Sequence, residues 1–267
     1  MAANSEKAFT AVILAADRRA DDPLLKHSGV SCKALVEIEG EPMVLRVMRA
    51  LQESRSVDSV LLAGPAEQHL RNSTALSDAM ERPQTSWIAP HNSPSSSAYH
   101  AMQTLADAVP VLITTADHPL LRADIVDHFL QAARASGADV AVALTRFDGI
   151  QARFPHAKKT VLRFRDGGYC GCNLFAFLTP RSRNLADAWR KVEQQRKNPL
   201  RIISQLGWWS VLRYLTGRLT LDAALQQLSR RLDLDIRPVL LPFPESAIDV
   251  DSIADQQLVE GIAGNKS

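Results

Sequence analysis

The stretch Val109–Leu121 constrains this chain more than any other; it reads Val-Pro-Val-Leu-Ile-Thr-Thr-Ala-Asp-His-Pro-Leu-Leu. A short apolar, β-branched run of this kind predicts a buried strand. It ends in Asp117, with His118 and Pro119 directly behind. Proline has no N–H to give a central ladder, so the strand must stop there. The Asp117 carboxylate is thereby placed at the carboxyl end of a strand, the edge of an open α/β sheet where ligands bind. A carboxylate in that position can hold a divalent metal.

The chain around this strand alternates. Phe9–Leu14 is a first apolar strand, running into Ala15-Ala16-Asp17-Arg18-Arg19 and a polar loop with Asp21, Asp22, Pro23 and Gly29. Lys33 and a second apolar run, Ala34–Ile38, follow. Gly40-Glu41-Pro42 breaks that run, and Pro42 suits the first position of a helix in which Val44, Val47, Met48 and Leu51 recur at helical spacing. Val57–Leu62 is a strand, Ala66–Met80 a helix, Ser86–Ala89 a short strand. Pro90–Ser97, rich in Ser, Asn and Pro, predicts a loop before a helix over Tyr99–Ala106. After Pro119 come a helix over Arg122–Ala135, ended by Gly137, and a strand over Val140–Leu144. Such alternation predicts a parallel, doubly wound sheet. Thr160–Phe177 then departs from it as a β-ribbon or edge-strand excursion. From Arg181 to about Leu232 the pattern is helical only, and Leu221, Ala224, Leu225, Leu228 and Leu232 form a stripe. Ile236–Leu241 is a last strand, and Ser252 is placed to cap a final helix.

Composition excludes several classes. The chain has 267 residues, 46% of them hydrophobic, and a formal net charge of +2 with acids and bases interspersed. That argues for a sizeable core and against a nucleic-acid partner. No uncharged apolar run of about 18 residues predicts a membrane span, and the first residues lack the pattern of a signal peptide. Cys32, Cys170 and Cys172, few and odd in number, fit reduced thiols and a cytoplasmic location. With no second pair at metal-ligand spacing, Cys170 and Cys172 are read as packing residues.

Three constellations can carry chemistry. The turn after the first strand offers backbone N–H groups and the basic Arg18, Arg19 and Lys33 to phosphates; its alternative is a solvated loop. Asp117 and Asp251 each follow a short strand, so parallel strands would bring both to one sheet edge, where two carboxylates suit Mg²⁺; alternatively, Asp117 forms a turn and Asp251 caps a helix. The hydroxyls and amide of Asn92–Ser97 could read a base or sugar, although most such loops are only loops.

Five segments in order, Ala-Val-Ile-Leu-Ala-Ala at 11–16, Lys-Ala-Leu at 33–35, Gly-Glu-Pro-Met at 40–43, Thr-Thr-Ala-Asp-His-Pro-Leu at 114–120 and Ile-Asp-Val-Asp-Ser-Ile-Ala-Asp at 248–255, resemble one superfamily. It is that of the nucleotidyltransferases related to the molybdenum-cofactor guanylyltransferase and to sugar-phosphate and methylerythritol-phosphate nucleotidyltransferases. The resemblance covers about residues 9–180 and 234–262. It implies a Rossmann-like, glycosyltransferase-A type fold: a mixed, mostly parallel sheet with helices on both faces, here one domain over 1–267 with a helical insertion at 181–232. It implies transfer of a nucleotidyl group from an NTP to a phosphorylated or hydroxylated small-molecule acceptor, with Mg²⁺ and release of pyrophosphate.

Carried over residue by residue, Leu14, Ala15 and Ala16 would contact base or ribose through backbone groups, within a nucleotide-binding set that includes Asp17, Arg18 and Arg19. Lys33 matches the phosphate-binding lysine, Asp117 the metal aspartate and Asp251 the second metal ligand, while Ser97 sits where relatives read the base. The family's turn runs Leu-Ala-Ala-Gly-x-Gly-x-Arg-Met; here Asp17 replaces the first glycine, and Cys32 stands where a proline usually precedes the lysine. Two alternatives follow: a nucleotide-binding regulatory protein without catalysis, favoured by the altered turn, and a nucleotide-sugar glycosyltransferase, disfavoured because His118-Pro119 follows Asp117 where an Asp-x-Asp pair is usual. The broadly apolar Arg201–Leu215 leaves internal packing, a homodimer contact or acceptor lid, and a peripheral membrane contact open.

Overall fold

The computed structural model describes residues 9–16, 22–105, 110–183, 185, 213 and 216–264. Strands and helices follow in the order β1 (Phe9–Leu14), α1 (Pro23–Ser28), β2 (Glu37–Ile38), β3 (Glu41–Pro42), α2 (Met43–Gln52), β4 (Val57–Ala63), α3 (Glu67–Arg71), α4 (Thr74–Met80), β5 (Thr85–Ile88), α5 (Pro94–Thr104), β6 (Val111–Thr115), α6 (Ala123–Ala135), β7 (Val140–Arg146), α7 (Phe147–Arg153), β8 (Leu162–Phe164), β9 (Gly167–Phe177), α8 (Leu221–Leu232), β10 (Ile236–Leu240) and α9 (Ile253–Gly264). The sheet runs β10-β7-β9-β6-β1-β4-β5, with β8 hairpinned onto β9. Every neighbouring pair along this path is parallel except the two that β9 makes. The fold is thus an α/β, Rossmann-like, mostly parallel sheet, as expected.

Alternate side chains of each central strand enter opposite cores, as the period of two requires. In β1, Ala11 and Ile13 join the larger core with α2 and α6, while Val12 and Leu14 join Ala98, Ala101 and Met102 of α5 on the other face. Phe129 of α6, fully buried, is among the largest residues of that first core. Cys170 and Cys172 also lie in it, free and buried. Burial pushes the Cys172 thiol up to about 12, so both serve as small apolar side chains.

The structure corrects three sequence expectations. The segment 167–177 is no edge excursion: β9 is wedged antiparallel between β6 and β7. Its residues explain this, since Cys170, Cys172, Leu174 and Ala176 feed one core while Phe177 feeds the other, and an edge strand would leave one set wet. The helix expected from Tyr99 starts at Pro94, because Ser93 caps it by accepting from Ser96 N at 3.2 Å. The single helix expected over Ala66–Met80 is two, since Ser73 opens a second by accepting from Leu76 N. Of the expected helical insertion, α8 is observed, its Leu225, Leu228 and Leu232 packed on the α5 face of the sheet. Residues 184, 186–212 and 214–215, and with them the apolar Arg201–Leu215 apart from residue 213, lie outside the described residues. No described helix is long and apolar enough to cross a membrane.

One glycine shapes the turn after β1. Gly64, just past β4, has φ +88°, and a Cβ there would stand 3.1 Å from the Ala15 carbonyl carbon and from Ala16 N. Gly137, by contrast, has φ +65° and open space around it. Gly137→Ala should therefore cost only the left-handed penalty, about 1 kcal/mol, whereas Gly64→Ala should cost about 2–3 kcal/mol because backbone must also move. Urea unfolding of the two variants checks this; equal losses would show that the β4 end does not bear on the β1 turn.

Candidate active site

At the carboxyl ends of β1 and β6 lies a cavity of about 510 Å³. Its β1 side is formed by Leu14, Ala15 and Ala16, with Asp22 and Pro94. Leu14 and Ala15 are held there by backbone bonds from Ala116 N to Leu14 O and from Ala15 N to Ala63 O. Its other side is formed by Asn173 and Phe175 of β9 and by Asp249. Between the two stand Lys33, Asp117 and Asp251.

Asp117 is where the proline rule places it, past the end of β6. Thr115, two residues earlier, donates to Asp117 Oδ1 at 2.6 Å, and Lys33 Nζ donates to Oδ2 at 3.0 Å. Burial pushes this carboxyl up, but the Lys33 ammonium, together with His118 and the Thr115 hydroxyl, more than offsets that and holds it at about 2. Burial also works against the Lys33 ammonium, and the adjacent Asp117 and Asp251 carboxylates overcome it, so Lys33 sits above its ordinary range. Lys33 opens a one-turn 3₁₀ segment, Lys33–Leu35, which aims it into the cavity.

Asp251 reaches Asp117 by a route that strand order alone does not supply. β10 ends at the far side of the sheet, with β7 and β9 between it and β6. The segment after it crosses the strand ends and is pinned by the bond from Val250 N to Asp117 O at 3.0 Å. Asp251 then accepts from Lys33, and behind it Ser252 and Asp255 exchange bonds at the start of α9, as expected of the cap. The two carboxylates offer hard oxygen donors of the kind Mg²⁺ takes, and a cation, the Lys33 ammonium, already bridges them. Among the described residues, no group of three or more His, Cys, Asp or Glu is arranged to hold a metal.

Other predicted residues fall elsewhere. Ser97 is buried within α5, its hydroxyl accepting from His91 N at 3.0 Å; among the cavity-lining residues, α5 contributes Pro94. Ser97 thus tethers the loop ahead of α5. Asp17, Arg18 and Arg19 lie outside the described residues.

A second polar group lies beside the first; the sequence offers its His118 as a catalytic or, more often, a positioning residue next to Asp117, while its partners Asn173, Lys159 and Asp249 were missed. His118 is buried, and Asn173 Nδ2 donates to its Nε2 at 2.8 Å. Burial holds His118 below the ordinary imidazole range, although Asp117 and Asp249 pull the other way. Asn173 carries this contact at φ +49°, a left-handed conformation that asparagine tolerates better than most side chains. Lys159 pairs with Asp249 on the same side. The signals were present: Asn173 is the lone amide in an otherwise apolar strand, and Asp249 stands two residues before Asp251.

The depressed carboxyl has a consequence for stability. Asp117 titrates at about 2 in the fold against an ordinary 3.8, so the folded state favours the ionised form. This stabilisation is complete above pH 4 or so and is lost as pH falls through about 2, amounting to roughly 2 kcal/mol. In urea unfolding, wild type should therefore lose about that much more than Asp117→Asn between pH 6 and pH 2; parallel pH curves would mean that the carboxylate is not held by its neighbours.

The same scaffold recurs among known proteins. The family described as MobA-like NTP transferase domain matches residues 11–232. A hypothetical transferase from Thermus thermophilus is 27% identical, covering 93% of this chain and 99% of its own, with a TM-score of 0.78. A CMP:2-keto-3-deoxy-manno-octonic acid synthetase complexed with CTP, 17% identical over 98% of this chain and 100% of its own, has a TM-score of 0.58. The 4-diphosphocytidyl-2C-methyl-D-erythritol synthase of Anaerococcus prevotii, 12% identical over 97% and 96%, reaches 0.60. These last two share the fold. The comparison with curated proteins finds no match. The family match spans most of the chain, and the chain belongs to the MobA-like NTP transferase family of nucleotidyltransferases.

Proposed function

We propose that the protein transfers a nucleoside monophosphate from an NTP to a phosphorylated or hydroxylated acceptor, with Mg²⁺ held by Asp117 and Asp251. The observation that carries this reading is the convergence of Lys33, Asp117 and Asp251 on one cavity, opposite the backbone turn Leu14–Ala16. In this reading the triphosphate lies along the turn, with Lys33, Arg18 and Arg19 as its cationic partners, and base or ribose rests on the backbone of residues 14–16. The acceptor enters from the Asn173 and Asp249 side. Its oxygen attacks the α-phosphorus, the bond to the bridging oxygen breaks, and pyrophosphate leaves with that electron pair; a phosphate oxygen attacks as the anion, and a hydroxyl gives up its proton to solvent. When bound, Mg²⁺ supplies neutralising charge on the phosphate oxygens. The protein's own residues position and neutralise, and no protein nucleophile is needed. A cytoplasmic setting fits three buried thiols, none of them in a disulfide.

A second reading, nucleotide binding without transfer, is supported by Asp17 in place of the family's glycine, which narrows the close approach of backbone to phosphate. Thermal-shift measurements with each of four NTPs and Mg²⁺, followed by pyrophosphate release over a broad acceptor panel, separate the two. Release with an acceptor supports transfer; stabilisation with no release from any acceptor supports binding alone. Within the first reading, Lys33→Ala and Asp117→Ala should each lower turnover by roughly 10²-fold or more, with circular dichroism unchanged. An Asp117→Ala enzyme with full metal-dependent turnover would overturn the scheme.

A further inference from the structure

Lys33 stands where two roles collide. Its ammonium is 3.0 Å from Asp117 Oδ2 and is also bonded to Asp251 Oδ1. Both Lys33 and Asp117 side chains are only 22% exposed, so water screens their attraction less than it would at the surface. Resting on the function proposed above, we propose that Lys33 is a built-in stand-in cation. The nucleotide-free protein excludes the free divalent ion, and accepts it only together with a triphosphate.

The reason is steric and electrostatic. A divalent ion held by Asp117 and Asp251 would need the carboxylate oxygens that the Lys33 ammonium now engages. A double and a single positive charge cannot both be held there, so the ammonium must leave before the ion enters. Its four-carbon stem lets it swing while the backbone of the 3₁₀ turn stays in place. A triphosphate gives it a destination on the β1 side of the same cavity and brings the negative charge that a second cation requires. Lys159 is not in the way, since its partner is Asp249. The coupling must be reciprocal: whatever factor the nucleotide adds to metal affinity, the metal adds to nucleotide affinity. Lys33 would thus link the two binding events besides contacting phosphate.

The test is a Mn²⁺ titration of the full-length, nucleotide-free protein, with the free ion read by electron paramagnetic resonance. Lys33→Gln, which removes the resident cation, should bind Mn²⁺ at least ~10-fold more tightly than wild type. Lys33→Arg keeps a cation and should stay close to wild type. Adding Asp117→Asn to Lys33→Gln should abolish the gain. Circular dichroism verifies the fold, with Lys33→Met replacing Lys33→Gln should the latter not fold. A Lys33→Gln protein that binds Mn²⁺ no more tightly than wild type, or a gain that survives Asp117→Asn, overturns the proposal. Pyrophosphate release is read separately. Release by wild type without the Mn²⁺ gain leaves transfer standing and removes the stand-in. A gain in a protein that releases no pyrophosphate leaves the stand-in and removes transfer.

Discussion

A single backbone hydrogen bond, from Val250 N to the carbonyl of Asp117, holds the two ends of this site together. The first partner sits past the end of a central strand. The second belongs to a segment that begins at the opposite margin of the sheet and crosses the ends of β7 and β9 to arrive there. With that bond in place, Asp251 is presented beside Asp117, and Lys33, from a third and distant part of the chain, is drawn between them. Two adjacent carboxylates repel each other. The lysine reverses this, and Asp117 is held well down instead. The charge arrangement is therefore a property of the whole triad.

The sheet explains why the cavity has two unlike sides. β6 is flanked by β1, which runs parallel to it, and by β9, which runs against it. On the β1 side the cavity is lined by Leu14 and the small Ala15 and Ala16, and the last two lie close against Gly64. On the β9 side a strand passes the same edge and contributes side chains, among them Asn173 held by His118. The two sides of the cavity thus differ in kind: one is lined by small residues at the end of β1, the other by side chains of the reversed strand β9.

Much of this was legible in the residues. Alternating apolar runs and helical stripes predicted a wound α/β sheet, because burial on a strand or a helix leaves a periodic mark. Pro119 marked the end of β6 and so the position of Asp117. Where expectation and structure part, a competing local or long-range effect is identifiable. Ser93 and Ser73 start helices by capping, which the apolar pattern does not register. The Ser97 hydroxyl accepts from His91 N, a contact six residues away that composition does not reveal.

By itself, then, the sequence determined which segments become strands and helices and which carboxylate stands at a strand end. Those outcomes follow from side-chain periodicity and proline chemistry acting over a few residues. Only the tertiary structure decided that β9 is inserted antiparallel at the centre, that Asp251 arrives by a crossing segment rather than at the end of its own strand, and that Lys33 lies between two carboxylates 84 and 218 residues away. Strand order and charge convergence depend on which apolar faces are buried against which. That is settled by the packing of the whole chain, with no local pattern to announce it.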